Sequence, residues 1–196
     1  MGVGYDVAAL GQGVPPMADY NIENLKFLFV DDNANMRHLM STILSSLGAK
    51  DTTTVDSVDK GFGKLYDFDA DIVICDLRME PLDGIEFIKM IRNNDTSPKR
   101  YVPIIMLTAH SEPSAIEQAR DAGVYEFMAK PVSATKLNAK IKRIIEQPRS
   151  FIRTEDYFGP DRRCQDPNYR GPEGRQAKYI CPQTVIQSLI PVILYF

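Results

Sequence analysis

Five polar residues lie where a parallel sheet would place a reactive site, each at the end of a short apolar run. Asp31 and Asp32 follow FLFV, Asp76 follows IVIC, Thr108 follows IIML, and Lys130 comes two residues after YEFM. Carboxylates in one pocket repel each other unless a cation lies among them. Such oxygen ligands suit Mg²⁺, which keeps several waters and bridges phosphoryl oxygens. Together with a lysine and a hydroxyl, these carboxylates and the metal that they would bind meet the requirements of phosphoryl transfer, which are a metal, positive charge and positioning.

The elements that must position these residues are visible as short apolar runs. Each of the four runs is too short for a buried helix, and most are rich in β-branched or aromatic residues, as in strands buried on both faces. A weaker segment, TTTV, ends at Val55 and predicts a further strand.

Amphipathic stretches separate the runs. Their apolar residues recur at helical spacing, and the five predicted helices begin near Met36, Val58, Ile85, Ser111 and Ser133. Five strands alternating with five helices predict an α/β fold with a doubly wound parallel sheet that is covered on both faces. The working site of such a sheet lies at the carboxyl ends of its strands, where the polar residues are found.

Changes in pattern predict three regions. Residues 1–22 are rich in Gly and small residues and lack a sustained apolar period, which predicts a flexible leader. Residues 23–147 form the patterned domain, because Gln147 and Pro148 end its last helix. Residues 148–196 form a C-terminal extension with no helix-turn-helix pattern and no catalytic motif, so no output domain is recognised.

Composition narrows the class of partner and compartment. The net charge of -3 gives no indication of a nucleic-acid partner. Cys75, Cys164 and Cys181 are odd in number and share no metal-ligand spacing, which fits a reducing compartment, with Cys75 as a core residue. The longest apolar stretch is far shorter than the roughly 20 residues of a membrane-spanning helix. We therefore expect a cytoplasmic protein without a membrane span.

Four motifs carry a resemblance to a known family. They are VDD at 30–32, DLRMEPLDG at 76–84, LTA at 107–109 and KP at 130–131, in order and each following a predicted strand. Residues 26–146 resemble a CheY-like response-regulator receiver of bacterial two-component systems. The resemblance implies a flavodoxin-like (βα)5 sheet with strand order 2-1-3-4-5.

The resemblance also implies site roles. Asp76 would accept a phosphoryl group from a histidine kinase or a phosphotransfer protein. Thr108 would hydrogen-bond that group and Lys130 would pair with it. The implied ligands of Mg²⁺ are Asp31, Asp32, Asp76 and the backbone carbonyl of Arg78.

Four further positions would modulate the response. Phe127 falls where the family carries a switching aromatic, although an aromatic at a strand end is also typical of a core. Ala109 is small enough to admit the phosphodonor, and Arg78 and His110 occupy positions that tune phosphate lifetime. The surface of the fourth helix, fifth strand and fifth helix would bind a downstream protein in a phosphorylation-dependent way.

The extension leaves several hypotheses open. It holds a loose repeat, FGPDRR at 158–163 and RGPEGR at 170–175. Its arginines are typical of a solvated extension, but Arg also binds phosphate groups bidentately at partner or anion sites. The apolar end, residues 185–196, could dock on a partner or on a second copy in a homodimer. The extension could also cover the switch surface until phosphorylation releases it.

Two other functions compete with the receiver. One is a phosphate-independent interaction module on the same fold, against which the complete acidic and lysine positions argue. The other is a metal-dependent phosphatase with an aspartyl-phosphate intermediate, a class that wants an acid two residues after its nucleophile, where this chain has Arg78. We expect no enzyme activity beyond the protein's own phosphorylation and dephosphorylation.

Overall fold

The computed structural model describes residues 21–109, 113–162 and 178–180. Five strands and five helices alternate along the domain: β1 Lys26–Val30, α1 Ala34–Ser46, β2 Asp51–Val55, α2 Val58–Asp67, β3 Ile72–Asp76, α3 Gly84–Asn93, β4 Ile104–Thr108, α4 Pro113–Ala122, β5 Glu126–Ala129 and α5 Ala134–Glu146. The strands pair in parallel in the order β2-β1-β3-β4-β5. The predicted doubly wound, flavodoxin-like fold is confirmed.

The sheet separates two apolar core layers. Side chains alternate along a strand, so Phe27 and Phe29 of β1 enter one layer while Leu28 and Val30 enter the other. Residues of α1 and α5 fill the first layer, and residues of α2, α3 and α4 fill the second. Burial on both faces explains why the strands are continuous apolar runs.

Polar side chains cap three of the helices that follow the site loops, α1, α3 and α5. Asn33 Oδ1 accepts hydrogen bonds from the first-turn amides of α1, at 2.9 and 3.3 Å. Asp83 caps α3 through a 2.9 Å bond from the amide of Glu86, and Ser133 caps α5. These bonds satisfy amides that a helix start leaves without partners, so the helices start at defined residues beside the site.

One predicted boundary shifts, that of the fifth strand. The fifth strand runs over 126–129 rather than 125–128, and Tyr125 instead packs in the first core layer. The fourth helix begins at Pro113, and its predicted cap Ser111 lies outside the described residues. It ends one residue before Gly123, whose φ of 99° is a conformation that favours glycine.

The described part of the extension forms a second, small sheet. Strands β6 Phe151–Arg153, β7 Phe158–Pro160 and β8 Lys178–Ile180 pair antiparallel in the order β7-β6-β8. Phe151 and Phe158 are buried and meet the ring of Tyr101 edge to face. For residues 149–162 the interpretation of a solvated extension was therefore wrong, because these aromatic side chains complete the receiver's core.

Arginine side chains join the extension to the ends of α3 and α4. Arg92, in the last turn of α3, is fully buried and stacks on the Phe151 ring with its Cζ 5.0 Å from the ring centroid. Arg162 pairs with Asp121 of α4 at 2.7 Å. These contacts lie near the amino-terminal ends of β4 and β5, opposite the predicted site.

None of the described helices is long and apolar enough to cross a membrane.

Candidate functional site

The sheet register brings the predicted site residues to one edge. Asp76, the last residue of β3, pairs with Leu107, and Thr108, the last residue of β4, pairs with Ala129. Asp31 and Lys130 come directly after β1 and β5, so both follow strand ends at the same edge. Parallel neighbours end together, so four of the five predicted polar residues, all except Asp32, share one site.

Lys130 connects two of the carboxylates. Its Nζ lies 3.0 Å from Asp76 Oδ1 and 3.6 Å from Asp31 Oδ2. The lysine is held at the edge of the sheet because its amide donates to the carbonyl of Thr108 at 2.7 Å. The Lys130 side chain is 23% exposed, whereas those of Asp31 and Asp76 are 0% and 9% exposed. One partly exposed cation therefore pairs with two nearly buried carboxylates.

The environment of Asp76 opposes its charge. Burial raises the pKa of this carboxyl above its ordinary value, and the negative charge of Asp31 raises it further, while the hydrogen bond and charge of Lys130 lower it. The net direction is upward. A carboxylate oxygen with little hydration and an adjacent cation is suited to attack an electrophile such as phosphorus.

Cys75 behaves as the predicted core residue. Burial raises the pKa of its thiol well above the usual range, and the neighbouring carboxylates add to that effect. Its Sγ lies 3.1 Å from the carbonyl oxygen of Asp76 as a hydrogen-bond donor. A neutral buried thiol of this kind is inert as a nucleophile.

The acidic pair after β1 is divided between two environments. Asp31 is completely buried, and its Oδ1 accepts a 2.8 Å hydrogen bond from the amide of Asn33. Its Oδ2 is buried and has no hydrogen-bond partner among the described residues. Asp32 is exposed, and its Oδ2 accepts a long 3.4 Å bond from the amide of Glu80.

This donor set fits a magnesium ion with few protein ligands. Within the described ranges, no three acidic, histidine or cysteine side chains converge on a preformed metal cage. Two carboxylates close together and a third at the rim match the way Mg²⁺ is bound, since the ion keeps several waters. The buried Oδ2 of Asp31 has Lys130 Nζ no closer than 3.6 Å and no hydrogen-bond partner among the described residues, which leaves a costly oxygen that a bound cation would satisfy. The three carboxylates thus meet less closely than predicted, with Asp32 at the edge of the site.

The loop after Asp76 depends on a glycine. A Cβ added at Gly84 would lie 2.2 Å from the carbonyl oxygen of Asp76. The amide of Gly84 donates to the carbonyl of Leu77 at 3.0 Å. Only a residue without a side chain permits this approach of α3 to the end of β3. The loop borders an open cleft of about 500 Å³ beside Asp32, lined also by Arg78 and Glu80.

The remaining predicted residues occupy varied positions. Phe127 is half-buried and packs against the second core layer, which suits either a switching or a core role. Ala109 and Arg78 are exposed beside the site. His110 lies outside the described residues.

One contact was missed from the sequence. Arg37 of α1 donates from Nη1 to the carbonyl oxygens of Asp31 and Asp32. The signal was a basic residue in the first turn of a helix, where the helix dipole disfavours positive charge. An unfavourable position of this kind indicates a specific partner.

Comparison with known proteins identifies the family. A model of the response regulator receiver domain matches residues 27–142. The chain is 32% identical over 125 residues to chemotaxis protein CheY-3 of Vibrio cholerae serotype O1, covering 64% of this chain and 95% of that protein. It is also 32% identical over 116 residues to the sensory/regulatory protein RpfC of Xanthomonas campestris pv. campestris, covering 59% of this chain but 16% of RpfC.

Solved structures agree with this assignment. Vibrio cholerae CheY4 superposes with a TM-score of 0.57 at 27% identity, covering 61% of this chain and 98% of CheY4. The receiver domain of the sensor histidine kinase PA1611 from Pseudomonas aeruginosa PAO1, solved with a magnesium ion in its active site cleft, gives a TM-score of 0.55 at 28% identity and covers 61% and 95%. The chain belongs to the response regulator receiver family, and its domain is of the CheY type.

Proposed function

We propose that Asp76 accepts a phosphoryl group from a histidine kinase or phosphotransfer protein in a Mg²⁺-dependent reaction. The observation that carries this proposal is the position of Lys130, within 3.6 Å of carboxylate oxygens on both Asp31 and Asp76. A purely structural pair would match one cation with one carboxylate. Two buried carboxylates on one lysine leave a negative excess, which supports a site that binds a second cation.

The chemistry follows from the surroundings of Asp76. A carboxylate oxygen of Asp76 attacks the phosphorus of a phosphohistidine, a P–O bond forms, and the P–N bond breaks. The leaving imidazole keeps the electron pair and takes up a proton from solvent. Lys130 then lies beside the added negative charge, and the hydroxyl of Thr108 donates to a phosphoryl oxygen.

The metal-binding groups would be Asp31, Asp32, Asp76 and the backbone carbonyl of Arg78. When bound, Mg²⁺ neutralises charge on the phosphoryl oxygens during transfer. The buried Oδ2 of Asp31 supports this assignment most directly, because it lacks a hydrogen-bond donor in the described part of the chain.

The output would be a change in a protein-binding surface. A phosphoryl group adds a charge of about -1.5 to -2, and movement of Thr108 toward it would alter the loop that leads into α4. Phe127 would respond to that movement, and a downstream protein would bind the surface of α4, β5 and α5. A cytoplasmic location, a homodimer and the absence of other enzyme activity remain predictions.

The test is covalent modification followed by intact mass. The full chain is incubated with acetyl phosphate, with and without Mg²⁺, alongside Asp76→Asn and the control Asp59→Asn, which removes an exposed carboxylate from α2. We expect one phosphoryl group to be added to the wild type and the control only when Mg²⁺ is present. No adduct with acetyl phosphate or a phosphohistidine donor would favour the phosphate-independent module instead.

A further inference from the structure

Arg37 binds the backbone of the loop that carries the acidic pair. Its Nη1 donates to the carbonyl oxygen of Asp31 at 2.8 Å and to that of Asp32 at 2.9 Å. This nitrogen has two hydrogens, so each carbonyl receives one. Arg37 lies in the first turn of α1, where the helix dipole disfavours a positive side chain. Helix stability therefore does not explain its position, but the two carbonyl contacts do.

The other side of the same loop is restrained by different bonds. The amide of Asp31 donates to the carbonyl of Val55 at 3.2 Å, which extends the pairing of β1 with β2. Asp31 Oδ1 accepts from the amide of Asn33, and Asn33 in turn caps α1. Arg37 adds the bonds on the carbonyl side. Together these contacts fix the direction in which both aspartate side chains leave the loop.

Arg37 makes these bonds without using the oxygens that a metal needs. Its Nη1 donates to main-chain carbonyls, whereas Asp31 Oδ2 has no hydrogen-bond partner among the described residues. An arginine that paired with the carboxylates would compete with a cation for them. Contact with the carbonyls orders the loop and leaves the carboxylates available.

We infer that Arg37 is a positioning residue for the divalent cation, acting through the backbone of Asp31 and Asp32. The inference rests on the proposed function, since it assumes that the acidic pair binds Mg²⁺. Groups that orient metal ligands without touching the metal typically contribute about 10–100-fold to affinity. We therefore expect Arg37→Met to raise the dissociation constant for Mg²⁺ by about 10–100-fold.

The sign of the effect separates positioning from simple electrostatics. Removal of a positive charge near a cation site should strengthen cation binding if charge alone matters. Loss of loop order should weaken it. The matched control is Arg120→Met, which removes an exposed arginine from the last turn of α4 and should leave the Mg²⁺ dissociation constant unchanged.

Three measurements on the full chain test the inference. Calorimetric titration gives Mg²⁺ affinity for the wild type, Arg37→Met, Arg37→Lys and Arg120→Met. Thermal unfolding in EDTA reports on the fold without metal, and intact mass after acetyl phosphate at saturating Mg²⁺ reports on the reaction. We expect weaker Mg²⁺ binding in Arg37→Met, an intermediate value in Arg37→Lys, and phosphorylation that saturating Mg²⁺ restores in both.

Unchanged or tighter Mg²⁺ binding in Arg37→Met would overturn the inference. So would a large loss of thermal stability in EDTA together with phosphorylation that saturating Mg²⁺ does not restore, because Arg37 would then be needed for folding alone. Failure of the wild type to bind Mg²⁺ or to form an adduct would instead overturn the proposed function. The wild-type measurements therefore distinguish the two failures.

Discussion

Arg92 joins the end of α3 to the segments before β4 and β5 and also contacts the Phe151 ring of the extension. Arg92 is the largest of the fully buried side chains in the described part of the chain. Its guanidinium donates to the carbonyl oxygens of Gly123 at 3.1 Å and Val102 at 2.7 Å, and also to that of Arg100. The test variant is Arg92→Met, which keeps much of the apolar volume and removes all three donors.

The expected loss follows from those three carbonyls. Each buried acceptor without a partner costs about 1–3 kcal/mol. Part of this loss of stability is offset in Arg92→Met, because burial of the guanidinium is itself costly. Burial lowers the pKa of Arg92 to about 9, which indicates that cost. Loss of the stacking contact with Phe151 adds a smaller term. We expect the free energy of unfolding to fall by about 2–4 kcal/mol, a large part of the 5–15 kcal/mol typical of a domain.

The assay is urea unfolding of Arg92→Met beside the control Arg153→Met. Arg153 has a side chain 52% exposed, lies 3.9 Å from the exposed Asp95 and has its Cζ 5.6 Å from the centroid of the Phe158 ring, so its removal should cost less than about 1 kcal/mol. Hydrogen exchange should show lost protection in β6 before β1 and β3. Equal unfolding midpoints for the two variants would contradict the expected role of Arg92 in stabilising this end of the fold.

Three further variants probe the site itself. The raised pKa of Asp76 means that the folded protein holds the proton more strongly than the unfolded chain, so the charge of Asp76 destabilises the fold as pH rises above 3.8. Without metal, Asp76→Asn should therefore melt at a higher temperature than the wild type at pH 7. This difference in melting temperature should vanish below pH 3.8. Lys130→Met leaves Asp31 and Asp76 without their shared cation and should lose about 1–3 kcal/mol in EDTA, while gaining more thermal stability from added Mg²⁺ than wild type gains. Gly84→Ala places a Cβ 2.2 Å from the Asp76 carbonyl oxygen and should both lower the melting midpoint and slow adduct formation, whereas Gly63→Ala, whose Cβ would meet nothing within 4 Å, should do neither. A normal adduct rate in Gly84→Ala would show that the approach of α3 to β3 is not needed.

Much of the fold was predictable because the strands are short apolar runs. FLFV, IVIC and IIML are buried on both faces, and no other arrangement of such runs with intervening amphipathic helices is common. Parallel strands also end at one edge, so the residues after Val30, Cys75 and Leu107 could be assigned to one site without coordinates.

The distribution of the carboxylates could not be predicted. Asp31 and Asp32 are adjacent and chemically alike, yet one is fully buried and the other exposed. The difference arises because successive residues at a strand end point in different directions, and because the amide of Asn33 folds back onto Asp31 Oδ1. Sequence spacing alone does not contain that information.

The extension shows the same limit more strongly. Residues 149–162 contain arginine, acidic and aromatic side chains in a pattern typical of a solvated segment, but Phe151 is fully buried against Tyr101. Arg162 pairs with Asp121, 41 residues away, and the Phe151 ring lies against the guanidinium of Arg92.

The α/β class, the strand ends and the residues that could perform phosphoryl transfer were predictable from the sequence, because apolar periodicity and strand direction are local properties of the chain. The three-dimensional packing was needed to show that Lys130 reaches both Asp31 and Asp76, that Arg37 binds the loop backbone, and that the extension completes the core. Those contacts depend on which distant surfaces meet and on which polar groups are left without water, and both are properties of the packed chain.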